Sequence, residues 1–174
     1  MKRTLARGFT LVEIMIVVAI IALLAPIAIP NVLRGRTTAN ESAAIGNLRA
    51  LVSSLEMFRS VNNVYPTSAN WNTDMYETPN PDFGPPSFAH AMDNSACPSG
   101  ASNSCTQGYL YNYNSAAGTA YSITATPNDI GVTGTRSFFV DSSGVIRHCL
   151  SSSSKPLATV AVNTIDASAN STCP

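Results

Sequence analysis

Charge is scarce in this sequence. Charged residues make up 11% of 174, against roughly 25% in ordinary soluble domains. Histidine is nearly missing, with only His90 and His148, which leaves little material for imidazole acid–base or metal chemistry. There is no GxSxG, no HExxH and no glycine-rich phosphate loop, so the hydrolase, metalloprotease and nucleotide-binding classes that depend on them are excluded. Ser152 to Lys155 satisfies SxxK formally, but it sits in a run of serines without companion motifs and reads as a polar tail. CxxC spacing is missing too, so His148 beside Cys149 is a poor start for a zinc site. A basic stripe is also wanting: ten basic side chains face ten acidic ones, and Lys2, Arg3 and Arg7 lie within the first eight residues. A chain shortened by those eight would carry seven against ten, a net −3. No nucleic-acid partner is expected from such a balance, and no cofactor or metal is implied.

What is abundant is apolar sequence at one end. From Phe9 to Ile29 the only charge is Glu13, and the run matches the ~20 residues a helix needs to cross a bilayer core. Basic residues precede it and none follows closely, so the positive-inside bias keeps the N-terminus cytoplasmic and sends the rest outward. A cleaved secretory signal shares a basic start and an apolar run, but no small-x-small cleavage pattern follows here. Past Pro30 the pattern turns amphipathic. Ala44, Leu48, Leu51, Leu55 and Phe58 recur at spacings of four and three, flanked by Ile45 and Val52, while Asn47, Arg49, Ser53, Ser54, Glu56 and Arg59 fill other positions. A helix of this kind lies on a sheet by one stripe. Pro26 and Pro30 each remove a helical donor and crowd the preceding turn, so they mark either a hinge or two prolines tolerated in a membrane helix.

Residues 62–108 hold five prolines between Pro66 and Pro86 and show no sustained period. A loop that long implies either hidden short elements or a functional surface. Strand patterns follow: Tyr109, Tyr111 and Tyr113 alternate with Leu110 and Asn112, and Tyr121, Ile123 and Ala125 alternate with Ser122, Thr124 and Thr126. Arg136 to Val140, the turn-forming Asp141 to Gly144, and Val145 to Cys149 read as a hairpin. The tyrosine stripe suits core packing better than a stacking platform for bases. Cys97, Cys105, Cys149 and Cys173 lie in the exported part and suggest disulfides. Three pairings are formally possible, with Cys97–Cys105 and Cys149–Cys173 preferred. In the loop-closure model each would contribute roughly 2.5 to 3.5 kcal/mol.

Residue by residue, Arg7, Gly8, Phe9, Thr10, Leu11, Val12 and Glu13, followed by the apolar run, resemble the processing motif of type IV prepilins and type II secretion pseudopilins. The resemblance is strong over about the first 60 residues and weaker through Asn63, Tyr65 and Pro66. It implies an α+β, pilin-like fold in which a long N-terminal helix, membrane-spanning in its first half and amphipathic in its second, packs on a small antiparallel sheet. The implied organisation is a leader at 1–8, a transmembrane or filament-core helix at 9–30, and an extracytoplasmic domain at 31–174. That domain divides into helix 31–61, variable loop 62–108, and a sheet with a disulfide-bonded C-terminal region at 109–174.

The same resemblance implies a function. A prepilin peptidase would cut between Gly8 and Phe9 and methylate the new amine of Phe9. Glu13 would meet the N-terminal amine of a neighbouring subunit, and the helix near Pro26 and Pro30 would loosen on assembly. Expected partners are copies of the chain in a helical filament, the peptidase, an inner-membrane pilus or secretion assembly machinery, and membrane lipid before assembly. The chain would sit in the bacterial inner membrane and then in a surface pilus or periplasmic pseudopilus. A major pilin, a minor pilin and a pseudopilin all fit; a pseudopilin would give the acidic loop around Asp74, Glu77 and Asp82 a calcium ion to hold. An enzyme anchored by one helix is the reading from another class, and the missing catalytic motifs weigh against it.

Overall fold

A computed structural model of the chain describes residues 9–78, 81–89, 92 and 105–151. It divides into two compact units, Met1–Gly35 and Arg36–Pro174. One helix, α1 (Leu11–Asn62), begins in the first and ends in the second, with Pro26 and Pro30 inside it. In the first unit the large apolar side chains from Phe9 to Leu33 are all exposed. The stretch is long and apolar enough to cross a membrane.

In the second unit α1 changes character as the spacing predicts. Ala44, Leu48, Leu51, Ser54, Leu55 and Phe58 are buried, and each fully buried leucine contributes about 1.5 to 3 kcal/mol relative to an exposed one. Polar clips reinforce the stripe. Asn40 Nδ2 donates to Thr133 O at 2.9 Å, and Asn47 Nδ2 donates to Tyr111 Oη at 3.1 Å. The Glu41 carboxylate accepts from Thr135 N at 2.9 Å and lies 3.5 Å from Arg136 Nε. The helix stops at Asn63, whose φ of 60° is left-handed and whose N–H returns to Arg59 O. Asparagine tolerates that conformation better than most residues, which makes it a natural helix terminator.

Five antiparallel strands follow: β1 (Cys105–Thr106), β2 (Tyr109–Asn114), β3 (Ser122–Pro127), β4 (Arg136–Asp141) and β5 (Arg147–Leu150), in spatial order β1-β2-β3-β4-β5. The β1–β2 hairpin turns on Gln107 and Gly108, both at positive φ, as a two-residue primed turn requires. At the β4–β5 turn Ser143 N–H and hydroxyl both donate to the Asp141 carboxylate, and Gly144 takes φ 72°.

One face of the sheet carries Tyr109, Tyr111, Tyr113, Ile123, Ala125, Phe138 and Val140 against α1. The tyrosines are core residues, as expected, and most tie off their hydroxyls: Tyr109 Oη donates to Arg136 O and Tyr113 Oη to Pro66 O.

Two sequence expectations are refined. The stretch from 62 to 108 contains short elements at Ser68–Asn70, Thr73–Glu77 and Pro86–Phe88. Tyr65, Trp71, Met75, Phe88 and Met92 from this stretch enter the core, with Trp71 over Tyr113 and Phe88 edge-on to Tyr111 at ring separations of 4.6 and 4.9 Å. Sparse aromatics separated by prolines have no period to betray them, which is why this layer escapes pattern reading. The sheet also starts before residue 109, because β1 is only two residues long.

Candidate processing and assembly site

The sequence places the chemistry at the start of α1. Gly8 lies outside the described residues, and Phe9 is the first of those described, 87% exposed. Thr10 and Glu13 close a capping box around the first turn. Glu13 Oε2 accepts from Thr10 N and Thr10 Oγ1, each at 2.8 Å, while Thr10 Oγ1 accepts from Glu13 N at 3.3 Å. Thr10 precedes the first helical residue and Glu13 is the third inside it, the spacing at which each side chain accepts from the other residue's orphan backbone N–H. The carboxylate also sits where the helix dipole favours negative charge. Thr10 is therefore a participant that reasoning about Glu13 alone passes over, although its signal, Thr-x-x-Glu before an apolar run, stands in the sequence.

Apart from Thr10, the side chains next along the chain from the carboxylate are apolar and exposed: Leu11, Val12, Ile14, Met15, Ile16 and Val17. Such a surface needs lipid or protein to cover it, and the single acid at its N-terminal end needs a cationic partner or a hydrogen-bonded one once water is gone. In the single chain Thr10 fills the second role.

The remaining candidates fall elsewhere. Pro26 and Pro30 lie within α1. Cys105 is in β1 and Cys149 in β5; both are disulfide-bonded. Cys97 and Cys173 lie outside the described residues, and the preferred pairing remains an expectation. In the acidic loop, Glu77 accepts from Asn72 Nδ2 and Thr73 Oγ1. Among the described residues no group of three His, Cys, Asp or Glu side chains is placed to hold a metal ion.

Comparison with known proteins points to the same end of the chain. Residues 3–25 match the family model of the prokaryotic N-terminal methylation motif. The chain is 37% identical to type II secretion system core protein G of Escherichia coli (strain K12) over 73 residues, 42% of this chain and 50% of that protein. It is 47% identical to the type IV wide pilus major component of Thermus thermophilus over 60 residues, 34% of this chain and 46% of that one. With the type IV major pilin of Myxococcus xanthus it shares 48% over 64 residues, 37% of this chain and 29% of that one. The chain thus spans half or less of the length of these relatives. No solved structure matches it. Motif, relatives and an apolar α1 packed on an antiparallel sheet agree, and the N-terminal segment of the chain is similar to those of type IV pilins and type II secretion pseudopilins.

Proposed function

We propose that this protein is a structural subunit of a type IV pilus-like filament. A prepilin peptidase cuts between Gly8 and Phe9 and methylates the new amine. The apolar half of α1 holds the subunit in the inner membrane, N-terminus cytoplasmic and C-terminal domain periplasmic, until an assembly machinery extracts it. Leaving lipid, that half must be covered by the same half of other copies, because water contact costs about 25 cal/mol per Å² of apolar surface. A head-to-tail contact between copies does not close and so builds a helical polymer. Within it Glu13 pairs with the amine of a neighbour's Phe9. The subunit performs no catalysis of its own.

The observation that carries this reading is an exposed apolar surface that begins at Phe9 and whose single charge is the Glu13 carboxylate. Mass spectrometry of the protein purified from its own cells tests it: the mature chain should begin with N-methylated Phe9, and a chain that keeps residues 1–8 in the assembled material would overturn it. The likeness to secretion protein G favours a second reading, a pseudopilin of a type II secretion system. Shearing separates the two. A major pilin dominates the sheared fraction, whereas a pseudopilin or minor pilin does not.

A further inference from the structure

The last turn of α1 borders a pocket of about 300 Å³, lined by Phe58, Val61, Asn62, Asp74, Thr78 and Phe83. Phe58 is buried and meets Phe83 edge-on at a ring separation of 5.2 Å, while Phe83 N donates to Met75 O at 3.0 Å. The floor is therefore apolar and fixed to the core. Its rim is negative. Asp74 is half-buried, yet among the described residues its carboxylate has neither a hydrogen bond nor an ion pair. Asp82, next to Phe83 in the chain, is exposed, and the C-terminal end of a helix adds a partial negative charge of its own.

This combination selects its occupant. A half-buried carboxylate without a partner calls for a cation, and an aromatic floor calls for apolar carbon behind that cation. An arginine side chain meets both demands. Its stem covers apolar surface, and its planar head binds a carboxylate with two hydrogen bonds and stacks on aromatic rings. A metal ion finds too few ligands, since among the described residues no group of three His, Cys, Asp or Glu gathers. The arginine nearest in sequence to the end of α1 is committed elsewhere: Arg59 Nη1 donates to Tyr65 Oη at 2.8 Å, and its guanidinium carbon lies 4.9 Å from the centre of that ring.

Among the described residues Arg36 and Arg49 are exposed arginines without a hydrogen bond or ion pair. Arg36 opens the second unit and follows the exposed apolar run that ends at Leu33, the part of α1 that other copies cover in the proposed filament. Asn62, at the pocket, lies about 39 Å further along α1 at 1.5 Å per residue. A contact between such unlike ends is heterologous and repeats without closing. Arg49 stands halfway along this stretch and makes no end-to-end contact. We infer that the pocket receives Arg36 of a second copy, with the guanidinium on the Asp74 carboxylate and the stem against Phe58 and Phe83. The inference rests on the filament reading and gives the polymer a register, which apolar burial, being non-directional, does not supply.

The test separates this contact from the filament itself. The photo-crosslinker p-benzoylphenylalanine is placed in the full chain at Val61, 65% exposed on the pocket rim, or at Ile16 in the apolar half, and assembled material from the cells is irradiated. Val61 should couple to a second copy within residues 33–40. Ile16 should couple to a second copy wherever the filament forms. Coupling at Ile16 without coupling at Val61, or from Val61 to any other segment or protein, would overturn the pocket assignment and leave the filament reading standing. Silence at both sites removes the two together. A charge swap then checks the pair: Asp74→Arg and Arg36→Asp should each lower the sheared filament severalfold, and the double variant should restore it. Restoration by Arg49→Asp in place of Arg36→Asp would sink the assignment.

Discussion

Glu13 has one observed role and one proposed role, and mutation separates them. Its carboxylate caps the first turn with Thr10, and in the proposed filament its charge pairs with an amine on a neighbour. Gln at the third helical position still completes a capping box, so Glu13→Gln removes charge and keeps the cap. Thr10→Ala does the reverse and costs the helix about 1 kcal/mol at its first turn. If charge pairing governs assembly, Glu13→Gln should abolish incorporation into filaments in a shear assay while Thr10→Ala leaves most of it. The opposite ranking would make the cap the essential function and remove the pairing.

Tyr111 gives a test in alkali. Burial pushes its hydroxyl up to about 12, with the bond from Asn47 opposing the shift. Burial raises Tyr109, Tyr113 and Tyr121 as well. A folded-state value above the unfolded one means the stabilisation is intact below about pH 10 and is lost as pH rises through about 12. From Tyr111 alone the loss is roughly 3 kcal/mol. Fluorescence-monitored unfolding should therefore show a stability plateau through neutral pH and a cooperative loss between about pH 10 and 12. A loss already complete near pH 9 would contradict the buried tyrosine layer.

At the scale of the element, α1 has two halves under different rules. Leu51 is fully buried and Ile16 is 55% exposed. Leu51→Ala should cost the second unit about 2 to 5 kcal/mol through the cavity it leaves. Ile16→Ala should leave thermal unfolding of that unit unchanged, when near-UV circular dichroism follows the aromatic core in micelles. Equal effects would mean that the halves do not divide their work in this way. The division was readable because its signals are periodic: the uniform run from Phe9, then Leu48, Leu51 and Leu55 at helical spacing. The alternation of Tyr109, Tyr111 and Tyr113 told which face of β2 points inward for the same reason. Trp71, Met75 and Phe88 were not readable as core, since a side chain carried on an isolated turn is placed by tertiary contacts. Leu110 and Phe139 look like the outward members of half-buried strands, and their burial depends on something that strand patterns do not encode. At the candidate site the motif directs attention to Gly8, Phe9 and Glu13, whose roles stay proposals, whereas Thr10 becomes visible through its two hydrogen bonds to Glu13.

For the whole molecule, the proposed role is polymerisation, and any chain built to polymerise must control which surface does so. A sheet edge competes with an apolar helix for that task, because an unpaired strand is a template for another strand. Here β1 is two residues long and β5 four, the latter opening with Arg147, which is paired with Asp141. Among the described residues, edges this short, one of them opening on a charged side chain, offer few consecutive N–H and C=O groups to a newcomer. Concentrated subunits are thereby steered away from cross-β stacking, and growth is left to the one surface that a membrane can hold in reserve until it is needed.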